Sequence, residues 1–325
     1  MGHAGFRSPR RLRLGHPAPA RYRLSHCRCC SGQGAIMDPD EVAVGIIAGL
    51  LEAQTGQKMT QDRRWRIRSA LGGIFRDRGI SSNQDLVVLL TQPDQSTLAR
   101  EVVEALLNNE TYFFRDRLVF ETLAQKVLPE LARQRQAQRS LSIWSCGCST
   151  GQEVLSLAMM FTEQRHRWDG WNIQILGTDV SSSVVNHARK GLYSQFQIQR
   201  GLGVSQMLGF FTEKEEGWVA GEQLRKMIRF ERHNMLDPPP YPGTFDLILC
   251  RNVMLYFDQE TRQRAVKRLH EASPADGWLL LGGGEGAVSD NSLFTPSEHL
   301  VSLFRTAGKG DDTRNQASSA PSEAA

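Results

Sequence analysis

The sequence predicts an α/β protein in which an all-α N-terminal domain precedes a parallel sheet. Apolar residues recur at helical spacing between residues 38 and 107, where no strand-like alternation occurs. Beyond residue 140, short apolar runs alternate with helical stretches, a pattern typical of a parallel sheet covered on both faces. The 325 residues, 40% of them hydrophobic, are enough for two domains with separate cores.

An arginine-rich leader, residues 1–37, opens the chain. Its arginines and its lack of acidic residues account for the formal net charge of +4, because the rest of the chain is slightly acidic. Such a leader is typical of a targeting peptide or of an arm that binds nucleic acid. It also fits a disordered segment ahead of a true start at Met37, which is the interpretation that we favour.

The cysteines indicate a reduced, cytoplasmic protein without a metal site. Cys27, Cys29 and Cys30 lack the histidine pair or second cysteine pair that a zinc site needs. The other three cysteines lie in or beside strand-like runs, as expected of buried thiols in a reducing compartment. No apolar run approaches the length of a membrane-spanning helix, so no membrane insertion is predicted.

The helical domain is predicted over residues 38–117, followed by a linker helix over residues 118–140. Three apolar stripes support the helical domain, and a start signal at Ser81–Ser82–Asn83 precedes the third. The stripes are Val42, Ile46, Ile47 and Leu50, then Ile67, Leu71, Ile74 and Phe75, then Leu86, Val87, Leu89 and Leu90.

The sheet domain is predicted over residues 141–306, with a polar, disordered tail over residues 307–325. Predicted strands cover residues 141–145, 173–178, 245–250, 278–282 and 300–305, and predicted helices cover residues 151–164, 181–190 and 258–272. The alternation is interrupted at about residues 191–232, where turn signals predict a small helix and a β-hairpin.

A glycine-containing turn, SCGCSTGQE at residues 145–153, follows the first predicted strand. Gly147 lets the backbone approach a ligand closely, and the next helix offers free N–H groups. Asp179 ends the next strand, where a carboxylate suits the hydroxyls of a ribose. It could instead cap the following helix, although Ser181 is available for that role. Glu153 lies near the same crevice, or is simply a favourable charge at a helix start. These residues favour a cofactor that contains adenosine.

A second polar set, Arg251, Asn252 and Tyr256, follows the strand FDLILC. Ligands bind at this end of the strands in open α/β sheets. None of these side chains titrates near neutrality, so the set suits a nucleophile that is already charged. The segment LDPPPYPG resembles a motif of amino-group methyltransferases but precedes the strand, so it is not predicted to act on amines.

A third polar stretch, NNETYFFRD at residues 108–116, ends a predicted helix. It joins amides and a hydroxyl to Arg115. Phe113 and Phe114 in this stretch are expected to pack between the two domains.

These motifs together resemble the CheR family of chemotaxis receptor protein-glutamate O-methyltransferases. The resemblance covers about residues 40–306 and rests on NNETYFFRD, WSCGCSTGQE, LGTDVS and FDLILCRNVMLYFDQETRQ. It implies a Rossmann-like class I methyltransferase domain that uses S-adenosylmethionine and carries a small β insertion. It also implies the following cofactor contacts: Asn109, Thr111, Arg115, Glu153, Asp179, Asn234, Met235, Arg251 and Asn252. The glycine-containing turn adds Gly147 to this set.

The resemblance implies methyl transfer to glutamate carboxylates of methyl-accepting chemotaxis receptors. Such a carboxylate is ionised at neutral pH and needs no base. Arg115 and Tyr256 are the candidates for holding it. Arg115 could instead form a surface ion pair with Asp116 or Glu110.

The helical domain is expected to dock the receptor through basic residues, Arg63, Arg64, Arg66 and Arg68, which would steer acidic helices. These residues could equally form a solvated face. Trp65 among them is expected to be exposed.

One departure and three alternatives remain open. Residues 282–285 read GGGE where the family usually has G-H-S-E, and the missing side chains are expected to loosen this loop. The chain could methylate another signalling protein, methylate nucleic acid, or only sense the cofactor. We predict no nucleic-acid partner.

Overall fold

The computed structural model describes residues 38–241, 243–285 and 292–307. The predicted leader, and the predicted tail from residue 308 onward, lie outside the described residues.

The first part of the described chain is helical, as the sequence predicts. Its helices are α1 (Pro39–Thr55), α2 (Arg66–Ala70), α3 (Gly72–Arg78), α4 (Asn83–Leu90) and α5 (Ser96–Leu106). The Ser82 hydroxyl accepts a hydrogen bond from the Asp85 N–H at 3.1 Å, which confirms the start signal of α4. The second apolar stripe spans two helices rather than one, because the helix is interrupted at Leu71.

A longer helical segment follows and packs into the core of the sheet. It consists of α6 (Arg117–Thr122), a π-helical turn (Leu123–Val127) and α7 (Leu128–Gln134). Its apolar side chains are buried in one cluster with residues of the first strand, including Ile143. The segment predicted as a linker therefore also contributes to the core.

The remaining elements alternate between strands and helices. The strands are β1 (Ser140–Cys146), β2 (Asn172–Asp179), β3 (Leu192–Tyr193), β4 (Phe211–Lys214), β5 (Gly217–Ala220), β6 (Ile228–Arg232), β7 (Leu247–Cys250), β8 (Trp278–Leu281), β9 (Phe294–Pro296) and β10 (Leu303–Thr306). The helices are α8 (Gln152–Glu163), α9 (Ser182–Lys190), α10 (Gln195–Gln199), α11 (Val204–Phe210), α12 (Glu222–Arg225) and α13 (Gln259–Ala272).

The main sheet has the strand order β6-β2-β1-β7-β8-β10-β9. The first five of these strands are parallel, and β10 and β9 add an antiparallel end. Apolar clusters cover both faces, since Ile143 faces one cluster and Trp144 the other. The predicted α/β fold with a helical N-terminal region is confirmed.

One strand of the predicted insertion belongs to the main sheet. Its own sheet is antiparallel, in the order β3-β5-β4. The run at Ile228–Arg232 was expected in the hairpin, but it pairs in parallel with β2 as an edge strand of the main sheet. Its alternation places Ile228 and Phe230 against the core cluster. Alternation alone cannot distinguish a hairpin strand from an edge strand that is covered on one face.

Within the described ranges, no helix is long and apolar enough to cross a membrane.

Candidate active site

The carboxyl ends of β1, β2 and β7 meet the end of α5 around a cavity that is partly open to solvent. The parallel sheet brings these strand ends to one edge, where ligands bind in such folds. All the predicted catalytic and cofactor-binding residues line this cavity: Asn109, Thr111, Arg115, Gly147, Glu153, Asp179, Asn234, Met235, Arg251, Asn252 and Tyr256. Their individual roles stay predictions.

Segment 108–116 is fastened to the sheet and to the insertion. The Phe114 N–H donates to the Ser156 hydroxyl at 2.9 Å, and the Ser149 hydroxyl donates to the Asn109 carbonyl at 2.6 Å. Phe113 is fully buried, with its ring 5.2 Å from that of Tyr193, measured between centroids. The expected packing of Phe113 is therefore present.

Arg251, which is itself buried, links this segment to the sheet through two ion pairs. Its Nη1 donates to a carboxylate oxygen of Glu153 at 2.9 Å, and its Nη2 donates to the carboxylate of Asp116. Nη2 also donates to the backbone carbonyl of Arg115 at 3.0 Å. Because a buried guanidinium needs compensating charge, the two carboxylates hold Arg251 in place. Glu153, which also accepts from the Ser145 hydroxyl, is thus more than a charge at a helix start.

Arg115 has no carboxylate partner among the described residues. Its Nη1 donates to the backbone carbonyl of Glu110 at 3.1 Å. The two acids that could have paired with it are engaged elsewhere, since Asp116 pairs with Arg251 and Glu110 pairs with Arg200 at 2.6 Å. The Arg200 hydrogen bond holds the pKa of Glu110 below its usual value. Arg115 therefore lines the cavity without an ion pair to a carboxylate, and its guanidinium lies 5.7 Å from the centre of the Tyr112 ring.

Asp179 is buried at the end of β2. Its carboxylate oxygens accept from the N–H groups of Ser149 at 2.9 Å and Ser181 at 3.0 Å. Burial raises the pKa of this carboxyl above its usual value, and these backbone donors oppose the rise. Ser181, not Asp179, caps α9, because its hydroxyl accepts from the Val184 N–H. Asp179 is therefore free of the capping role.

Tyr256 and its turn are anchored from two sides. The Tyr256 hydroxyl accepts from the Asn108 amide at 2.8 Å, and the Arg63 guanidinium lies 4.8 Å from the centre of its ring. The buried Glu285 carboxylate accepts from the N–H groups of Asn252 at 2.7 Å and Leu255 at 3.2 Å. Glu285 thus ties the GGGE loop to this turn without the missing histidine and serine side chains.

Several buried polar atoms in the cavity lack a partner within the described chain. They include a donor, Nε of Arg251, and an acceptor, Oδ1 of Asn252. Buried polar groups in native proteins are nearly always hydrogen-bonded. The site therefore fits a ligand that offers both an acceptor and a donor.

Sequence reasoning missed several residues of the cavity, among them Asn108, Ser149 and His233. His233 follows β6, which the sequence placed in the hairpin. Asn108 lies inside the quoted motif, so the motif marked its position but not its contact with Tyr256.

Comparisons with known proteins agree on one family. Residues 109–301 match the family model described as the CheR methyltransferase, SAM binding domain. The chain is 35% identical over 239 residues to chemotaxis protein methyltransferase 1 of Pseudomonas aeruginosa, covering 72% of this chain and 86% of that protein. It is 33% identical over 239 residues to chemotaxis protein methyltransferase Cher2 of Pseudomonas putida, with the same coverage of 72% and 86%. The chemotaxis protein methyltransferase of Vibrio parahaemolyticus is 32% identical over 247 residues, 75% of this chain and 89% of that protein.

Proposed function

Because the chain belongs to the CheR family of S-adenosylmethionine-dependent methyltransferases, we propose that it methylates glutamate side chains of methyl-accepting chemotaxis receptors. The products are glutamate methyl esters and S-adenosylhomocysteine. The names of the relatives support the chemotaxis setting. The choice of a carboxylate as acceptor rests on the chemistry of the cavity.

The cavity residues fit S-adenosylmethionine, which supplies a methyl group on a positively charged sulfur. The unpartnered Nε of Arg251 can donate to the cofactor's carboxylate, and Oδ1 of Asn252 can accept from its amino group. Asp179 keeps acceptor capacity for ribose hydroxyls beside its two backbone donors. The other predicted cofactor contacts line the same cavity: Asn109, Thr111, Gly147, Glu153, Asn234 and Met235.

The observation that carries the choice of acceptor is that Arg115 lines the cavity and forms no ion pair with a carboxylate of the described chain. An ionised carboxylate is the complementary group, and it attacks a methyl group without a base. Arg115 and Tyr256 would hold it in line with the methyl group, which is where positioning lowers the barrier. Their hold must stay modest, because equal stabilisation of bound substrate and transition state does not raise the rate.

The proposed partner surface is the basic face at Arg63, Arg64, Arg66 and Arg68. Trp65, with 74% of its surface exposed, lies among these residues. No ion pair of these arginines with a carboxylate is present in the described chain. Their charge is therefore available to an acidic receptor helix.

The test is transfer of labelled methyl from S-adenosylmethionine to receptor-containing membranes, followed by mild alkali. Methyl esters release volatile methanol, whereas N-methyl groups do not. We expect alkali-labile label on a band of receptor size. Alkali-stable label would contradict the carboxylate mechanism, and cofactor binding without any label would favour another substrate or a sensing role.

Arg115→Ala should reduce methyl transfer about 100-fold, because the substrate carboxylate loses its positioning charge. Cofactor binding should be partly retained, which calorimetry with S-adenosylmethionine can measure. Arg117→Ala is the matched control, since Arg117 is an exposed neighbour outside the cavity. If Arg115→Ala turns over as fast as this control, Arg115 does not position the substrate carboxylate.

A further inference from the structure

The hydroxyl of Tyr256 receives a hydrogen bond from a segment that follows α5. Nδ2 of Asn108 lies 2.8 Å from the Tyr256 oxygen. The rest of Tyr256 is also held from the helical region, because its backbone carbonyl accepts from the Lys58 N–H at 2.7 Å and Arg63 lies over its ring. The ring position is thus fixed independently of Asn108.

The direction of this hydrogen bond determines what the phenol can do. A phenol has one hydrogen to donate and oxygen lone pairs that accept. Because Asn108 donates, it occupies a lone pair and leaves the phenolic hydrogen uncommitted. A carboxylate can only accept hydrogen bonds, so it needs that hydrogen. Donation to the oxygen also strengthens the phenol as a donor, since linked hydrogen bonds polarise one another.

Asn108 and Tyr256 lie at the boundary between two cavities. Both line the cofactor cavity, and both line a smaller cavity whose wall includes Lys58, Arg63 and Arg66. A substrate side chain that arrives from this basic side meets the cofactor cavity at the Asn108–Tyr256 pair.

We infer that Asn108 is a positioning residue that directs the phenolic hydrogen of Tyr256 toward the acceptor carboxylate. The inference rests on the proposed function, because it presupposes a carboxylate substrate. Asn108 acts only through Tyr256 and touches neither reacting atom.

The experiment is a double-mutant cycle with Asn108→Ala and Tyr256→Phe, measured as kcat/KM for methyl transfer to receptor-containing membranes. Asn108→Ala alone should lower kcat/KM about tenfold, the scale of one net hydrogen bond. In the Tyr256→Phe background, which has no hydroxyl, the same change should alter kcat/KM less than about twofold. Cofactor affinity by calorimetry should be unchanged by Asn108→Ala. Asn186→Ala is the control, because Asn186 is an exposed asparagine on α9 outside both cavities.

The outcomes separate this inference from the proposed function. Equal losses in both backgrounds would overturn the inference, because Asn108 would then act by another route. Full activity of Asn108→Ala, or a loss explained by weaker cofactor binding, would also overturn it. If the unaltered chain transfers no alkali-labile methyl group, the proposed function itself fails. If Tyr256→Phe has no measurable activity, a tenfold loss in Asn108→Ala with unchanged cofactor affinity still supports the inference.

Discussion

The burial of Asp179 should make binding of S-adenosylmethionine depend on pH. Burial raises the pKa of its carboxyl, so on acidification it takes up a proton at a higher pH than an exposed aspartate, which titrates near about 4. Protonation turns an acceptor into a donor and weakens its contact with ribose hydroxyls. We therefore expect the Kd for S-adenosylmethionine to begin to increase, on acidification, above the pH range in which exposed aspartates titrate. Calorimetry with S-adenosylmethionine at a series of pH values from neutral downward measures this Kd.

The control for this dependence is Asp179→Asn, which cannot titrate. It should bind the cofactor more weakly at neutral pH and show a flat profile in the same range. If Asp179→Asn shows the same slope as the unaltered chain, another group is responsible for the pH dependence.

At the scale of elements, the backbones of the insertion and of segment 108–116 lie close together at Gly201, between α10 and α11. Gly201 has φ +99°, and a Cβ at this position would lie 1.8 Å from the carbonyl oxygen of Phe113. The backbone cannot move away easily, since the Phe113 N–H donates to the Arg200 carbonyl at 3.3 Å. Gly201→Ala should therefore lower the free energy of unfolding by at least about 2 kcal/mol. Urea denaturation followed by tryptophan fluorescence measures the change.

The matched control is Gly209→Ala, within α11, where a Cβ meets no atom within 4 Å. Alanine favours a helix over glycine, so this variant should be as stable as the unaltered chain or more stable by up to about 1 kcal/mol. Equal stability of the two variants would mean that the close approach at Gly201 relaxes without cost.

The elements also show which features the sequence could predict. Strands β1, β2 and β8 and helices α8, α9 and α13 matched their predicted positions within two residues, because their apolar patterns and caps are local signals. The assignment of β6 to the hairpin was wrong, since strand pairing depends on distant residues. The short strand β9 was not predicted.

Some features of the site could likewise be predicted from the sequence, and others could not. Its strand-end residues could be predicted because a parallel sheet gathers the ends of its strands at one edge. The contact between Asn108 and Tyr256 joins residues 148 positions apart, and no local pattern encodes it. The anchoring of the Asn252 turn by Glu285 likewise spans 33 positions.

At the scale of the whole molecule, the cavity is assembled from both halves of the described chain. Thr111 and Arg115 come from the segment that follows the N-terminal helices, whereas Asp179 and Arg251 come from the sheet. The ion pair between the buried Arg251 and the half-exposed Asp116 joins the two halves directly at the site. The predicted domain boundaries stay predictions, but the cavity needs residues from both sides of them.

The basic face should govern recognition of the receptor by the whole molecule. If Arg66 and Arg68 steer acidic receptor helices, replacing both with glutamate should raise the KM for receptor membranes about tenfold at low ionic strength. The difference from the unaltered chain should shrink at high salt, because exposed charges are screened.

A charge-matched control replaces Arg165 and Lys214 with glutamate, which changes the net charge equally at exposed positions outside the basic face and the cofactor cavity. If both double variants raise KM to the same extent, net charge alone controls the encounter. If Arg66→Glu with Arg68→Glu leaves KM unchanged, these arginines belong to a solvated face and the receptor docks elsewhere.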